Sequence, residues 1–245
     1  IASHSGDITS GPPPLGIQVA DVGSSFLAIT GILAAVVHRQ QTGAGQFVDV
    51  SMFDTALAWN TLAASQVLVG GESPVREGEM LNGGSFYGYY HTKDDRFLSV
   101  GSLEPKFWIA FCTAIERPDL IDAGADLTAE TQTWLRAEIQ STIAQRSLDE
   151  WTAIFAPLDA CVEPVLTTAE ACAHPQAVAR EMIVNTPKAE VASQLQIGAP
   201  IKFSAGQPNY RHIGATQGEH TEQIMAGLGY DERTIAEMRS SGVFG

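Results

Sequence analysis

From Val22 to Gln41 apolar residues run almost all the way round a helix-length segment. A helix without a polar face has to be buried, so this segment sets the architecture. Gly43 closes it, and His38 and Arg39 emerge at its C-terminal end. Thr42-Gly43-Ala44-Gly45 then turns the chain. Gln46–Ser51, with Phe47, Val48 and Val50, reads as a short buried strand, and Asp54–Val69 as a second mostly apolar helix. Helix, strand and helix in that order predict an α/β layer with a mainly parallel sheet.

The rest of the chain has a different texture. Ile1–Gly16 is irregular, with an extended Gly11-Pro12-Pro13-Pro14 stretch, and Gly70–Gly84 reads as a long loop. Ser85–His91 and Arg96–Gly101 predict a hairpin turned at Lys93-Asp94-Asp95. Helices are expected at Pro105–Glu116 and Thr128–Gln145, and a third opens with the capping box Ser147-Leu148-Asp149-Glu150. Cys161–Leu166 reads as a strand and Thr168–Ala173 as a helix start. Val191–Ser204 has strand-like pieces, and tail helices are expected at Thr221–Leu228 and Asp231–Ser240. The expected division is 1–84 for part of a large domain, 85–185 for a smaller α+β domain, and 186–245 for a segment returning to the large one.

Composition narrows the function classes. The 245 residues are 44% hydrophobic and 17% charged, enough for a sizeable core. A net charge of −14 repels nucleic acid and anionic membranes, so neither is expected as a partner. The longest apolar run, around Phe26–Val37, is shorter than a bilayer span. Three irregularly spaced cysteines, Cys112, Cys161 and Cys172, fit buried free thiols in a reducing cytosol better than disulfides or zinc. The segment before Gly16 has no basic stretch like that of a signal peptide, and without an initiating Met the chain is expected to start inside a longer product or to follow a removed segment.

Two carboxylates stand where chemistry is feasible. Asp21 follows the strand-like Gly16–Ala20 at the mouth of the apolar helix. The small residues Gly23, Ser24 and Ser25 after it would let a ligand or second chain approach the backbone. The same pattern fits a simple N-cap, with Asp21 or Ser24 in that role. Glu104 ends a strand and precedes Pro105 at the first position of a helix, so it too fits helix-start decoration. Paired, the two would make an acid/base set, but nothing in their spacing brings them together. Asn82-Gly83-Gly84 with Phe86, Tyr87, Tyr89 and Tyr90 fits a pocket wall or a hairpin core. The glycine-rich nucleotide motifs, the hydrolase elbow and the zinc-protease motif are missing, and the six histidines are scattered.

Several stretches, taken in order, resemble the class III CoA-transferases, the CaiB/BaiF group. They are Val19-Ala20-Asp21, Arg39–Met52, Met80-Leu81-Asn82-Gly83-Gly84 with Phe86-Tyr87, Val100–Phe107, Asp159–Leu166, and Gly218-Glu219-His220-Thr221. The likeness is greatest to the alpha-methylacyl-CoA racemase branch. It implies a partial Rossmann-like large domain plus a smaller α+β domain, in a cytoplasmic homodimer of interlocked chains. It implies acyl-CoA thioester as the substrate and no cofactor beyond that coenzyme A. The position of Asp21 is the thioester-forming nucleophile of the transferases and a proton-transfer group of the racemases. Glu104 matches a racemase glutamate that orients a catalytic histidine, which favours racemase over transferase. Gly23, Asn82, Gly83, Gly84 and Tyr87 are the implied substrate-binding positions.

The chain also departs from that pattern. The racemase histidine lies further upstream of the aspartate than twenty residues, and His4 does not match it. Asn82 stands where racemases commonly have aspartate, and Val22-Gly23-Ser24-Ser25 replaces a more glycine-rich turn. The chain is therefore expected to lack one of two proton-transfer groups. A subunit that binds CoA or a partner without turnover is the non-enzymatic alternative.

Overall fold

The computed structural model describes residues 1–188 and 191–244; positions 189, 190 and 245, within the expected segment 186–245, lie outside the described residues. The chain forms two compact units, Ile1–Val165 and Leu166–Gly245.

The first unit opens with a 3-10 turn at Ala2–His4 and then helix α1, Val19–Thr42. Helices α2, Met52–Trp59, and α3, Thr61–Ser65, follow, with a π turn at Gln66–Gly70. After a loop come strands β1, Gly88–His91, and β2, Phe97–Val100, then helix α4, Pro105–Ala114. Helices α5, Ala129–Ile143, and α6, Leu148–Phe155, lead to strand β3, Val162–Pro164. The three strands form one antiparallel sheet in the order β1-β2-β3.

The core of this unit lies under that sheet and is built by helical spacing. Gln132, Leu135, Ile139 and Ile143 put one face of α5 inside, meeting Phe111 and Cys112 of α4 and Trp151 and Phe155 of α6. Rings stack along it, Phe86 on Trp108 at 4.1 Å between centroids and Trp108 on Phe111 at 5.6 Å. The two buried indoles keep their polar edges satisfied: Trp108 donates to the Ile121 carbonyl at 2.9 Å and Trp151 to that of Ile143 at 2.8 Å. The capping box read at Ser147 and Glu150 is formed.

The second unit holds helices α7, Thr168–Ala173, and α8, Pro175–Ala179, and an antiparallel hairpin of β4, Ile183–Lys188, with β5, Val191–Ile197. It ends in helices α9, Thr221–Gly227, and α10, Glu232–Ser240, linked by an Arg239–Glu222 ion pair at 2.9 Å.

The mixed helix and strand content matches the sequence reading, but the parallel sheet does not. Among the described residues every strand pair is antiparallel. Gln46–Ser51 forms no strand because no neighbouring strand takes its backbone groups, and Phe47 is 91% exposed. The buried helix is also corrected. Gly23 is the one buried residue of α1, while Phe26, Ile29, Ile32 and Leu33 are more than half exposed. At 24 residues α1 is long and apolar enough to cross a bilayer, so the length argument does not hold. Gly16–Ala20 is not a strand: Gln18 is the N-cap of α1, which places Asp21 inside the first turn rather than at the cap. Of the thiols expected to be buried, only Cys112 is; Cys161 is exposed and Cys172 half-buried.

Candidate active site

Helix α1 presents Asp21 in its first turn, where the backbone N–H groups have no intrahelical acceptors; the first such bond runs from Val22 N–H to the Gln18 carbonyl at 3.0 Å. Asp21 is exposed, and its carboxylate has no hydrogen-bond or ion-pair partner among the described residues. Only its backbone carbonyl is engaged, accepting from the hydroxyls of Ser24 and Ser25. Two residues on, Gly23 packs into α2 beside Thr55 and Trp59. It therefore serves helix contact, not an open substrate surface.

Glu104 is held by different elements. The Gly101 N–H donates to the Cys161 carbonyl at 2.8 Å, and the buried Ser102 hydroxyl donates to that of Ala160 at 2.6 Å. These bonds pin the loop that ends in Glu104, the N-cap residue of α4. Its side chain makes no capping hydrogen bond, although Pro105 fixes the helix start. The Cys161 thiol is pushed above its ordinary value, first by desolvation against the neighbouring protein and then by the Glu104 and Asp159 carboxylates, which places Glu104 within electrostatic reach of it. The ring of Tyr87 covers Gly101, where an added Cβ would lie 3.5 Å from Cε2. Tyr87 and Glu104 thus lie beyond the same end of the β1–β2 pair.

Asn82, Gly83 and Gly84 are spent largely on the loop itself. The Asn82 amide donates to the His4 carbonyl at 3.0 Å and to that of Val75 at 2.9 Å, while its Oδ1 accepts from Glu79 N–H at 2.8 Å. Gly83 has φ +111°, and a Cβ at Gly84 would come within 2.8 Å of the Glu79 carbonyl. Asn82 nevertheless lines a cavity of about 540 Å3 with His4, Leu62, Gln66 and Met80. Gly83 and Gly84 line a second, of about 470 Å3, with Arg76 and Arg136. Neither Asp21 nor Glu104 lines either cavity.

The sequence reading gave no role to Asn60, Arg76 and Arg136, and set His4 aside because it does not match the racemase histidine. His4 Nε2 pairs with Asn60 Oδ1 at 2.9 Å across 56 residues, a contact no local spacing announces. Among the described residues there is no cluster of three or more potential metal ligands.

An exposed carboxylate at a helix start and a second beside a pinned strand end suit proton transfer or acyl attack. The sequence matches CoA-transferase family III over residues 1–221, and the chain belongs to that family. It is 28% identical over 242 residues to the alpha-methylacyl-CoA racemase of Homo sapiens, covering 94% of this chain and 59% of that protein. It is 31% identical over 234 residues to the succinyl-CoA:mesaconate CoA-transferase of Haloarcula marismortui, covering 92% and 58%. A CaiB/BaiF family protein from Brucella suis has the same fold, with a TM-score of 0.75 at 22% identity over 93% of this chain and 60% of that one. The chain thus spans somewhat over half the length of these relatives.

Proposed function

We propose that this chain carries acyl-CoA chemistry at Asp21, and that the reaction is proton exchange at the α-carbon of a 2-methylacyl-CoA thioester, as in an acyl-CoA racemase or epimerase. Family membership supports the acyl-CoA part. The observation that carries the rest is that both candidate carboxylates sit at helix starts without structural employment. Asp21 lacks any side-chain partner among the described residues, and Glu104 occupies an N-cap position without capping. Helix-start decoration would spend those oxygens on backbone N–H groups.

In this reading Asp21 takes the C2 proton. The electron pair left behind moves into the thioester carbonyl, and the enolate oxygen is stabilised by the unpaired N–H groups of the first turn of α1. Glu104 is a positioning residue for a second proton-transfer group. The coenzyme A enters as part of the substrate, with no further cofactor, and the working protein is a cytoplasmic homodimer. The expected domains, 1–84, 85–185 and 186–245, belong to this same reading.

The second reading is CoA transfer between carboxylic acids. There the Asp21 carboxylate attacks the thioester carbonyl, CoA thiolate leaves, and Glu104 has no part. The likeness to the Haloarcula transferase favours it.

One incubation separates the two. The protein, a 2-methylacyl-CoA and a free carboxylic acid are mixed in deuterated water. Deuterium at C2 with the thioester intact supports proton exchange. CoA appearing on the added acid with C2 undeuterated supports transfer. Neither above the buffer rate overturns both and leaves the reading of a CoA- or partner-binding subunit without turnover.

A further inference from the structure

The chain carries only 14 lysines and arginines against 28 acidic residues, so its arginines are expected to be paired. Two half-buried ones are not. Arg76 spends Nε on the Ser5 carbonyl at 3.1 Å, and Arg136 spends Nη1 on the Gly83 carbonyl. Neither forms an ion pair with a carboxylate among the described residues, and each guanidinium keeps most of its five donor hydrogens unused. Both line the cavity of about 470 Å3. Gly83 and Gly84 form another part of its wall. Ala129, the first residue of α5, is also in the wall, so the positive end of a 15-residue helix lies there.

Two acidic groups stand nearby. Glu77 lines the cavity but accepts from the Ile8 N–H at 3.2 Å, and Asp7, which feels Arg136, is held by Thr9 and Ser10. Forked donors left free in a wall, beside a helix start, match an anion that presents two or more oxygens.

We propose that this cavity binds an oxyanion, a carboxylate or phosphoryl group, held by Arg76 and Arg136. The site is separate from Asp21 and Glu104 and does not depend on the acyl-CoA reading.

The test is isothermal titration of the chain, at low salt, with inorganic pyrophosphate and with succinate, neither of which contains a thioester. Saturable binding of at least one is expected, weakened about tenfold or more in Arg76→Gln, the loss of one charged hydrogen-bonding fork. Arg136→Lys keeps the charge but loses the fork, and is expected to weaken binding as well; it decides the matter if Arg76→Gln does not fold. Pyrophosphate alone identifies a phosphoryl ligand, and succinate alone a carboxylate. Failure of both to bind overturns the proposal. So does wild-type affinity in the folded variant, or an equal loss in Arg239→Gln, whose arginine is paired with Glu222 in the other compact unit.

Discussion

Gly23 lies against Trp59 so closely that a Cβ on the glycine would stand 2.9 Å from Cη2 of the indole and 3.1 Å from Cγ2 of Thr55. Thr55 is 1% exposed, so this is the tight point of the α1–α2 pair. Ala at a mid-helix glycine normally stabilises by roughly 1 kcal/mol. At Gly23 the sign is expected to reverse, with Gly23→Ala destabilising by about 1–3 kcal/mol through overpacking. Gly31→Ala meets a single atom, Cγ1 of Val48 at 2.9 Å, in a segment outside any helix or strand that can shift, and should cost less. Chemical unfolding of the two variants checks this, and a stabilised Gly23→Ala would refute the close approach.

Gln132 is buried at 2% exposure and joins three segments: Oε1 accepts from Phe86 N–H at 2.9 Å, and Nε2 donates to the Asp126 carbonyl at 2.7 Å. Gln132→Leu keeps the volume but strands a buried N–H and a carbonyl. A loss of about 1–3 kcal/mol for the buried Phe86 N–H, and less for the carbonyl of exposed Asp126, is expected from urea unfolding. An unchanged midpoint would show that water replaces the amide.

Asp94 ties the hairpin turn to the start of α6, accepting from the Thr92 hydroxyl at 2.5 Å and from Leu148 N–H at 3.0 Å. The Thr92 hydrogen bond, with that of Leu148, holds its carboxyl below the ordinary value; Glu150 is lowered by the Ser147 backbone and hydroxyl. The folded state therefore favours the ionised forms. Their stabilisation is complete above the ordinary carboxylate range and is lost as pH falls through the depressed values. Stability measured from pH 7 down to 3 should fall less steeply in Asp94→Asn and Glu150→Gln than in the wild type. Parallel curves would contradict these caps.

The parts of the fold that close on themselves were legible in the sequence. The hairpin at Lys93-Asp94-Asp95, the capping box at Ser147 and the helix expected at Thr128–Gln145 depend on neighbours a few residues away or on helical spacing, and all three formed. What failed depends on a partner. Val48 and Val50 make a strand only when another strand lies alongside, and the all-round apolarity of α1 signals burial without supplying the cover. At the candidate site, motif order singled out Asp21 and Glu104 as candidates but not their surroundings. Helix α1 starts two residues before Asp21, because Gln18 caps it without a side-chain bond and the strand expected at Gly16–Ala20 has no partner. The arginines of the second cavity left no local pattern, since Arg76 and Arg136 meet only through the fold.

The proposed chemistry also predicts a stereochemical bias. With Asp21 as the one proton-transfer group acting from its face, exchange at C2 should outrun inversion, because returning the proton from the opposite face needs a second acid. Chiral analysis of partly deuterated product reads both rates. Equal rates would require an opposing acid of comparable strength.

The most direct measurement is the rate of deuterium incorporation at C2 of each enantiomer of a 2-methylacyl-CoA, for the wild type and for Asp21→Asn. The account predicts exchange of one enantiomer above the buffer rate and a drop of about 100-fold or more in the variant, the scale of a lost general base. Exchange that survives Asp21→Asn undiminished would contradict it, because the proton would then be moving through another group.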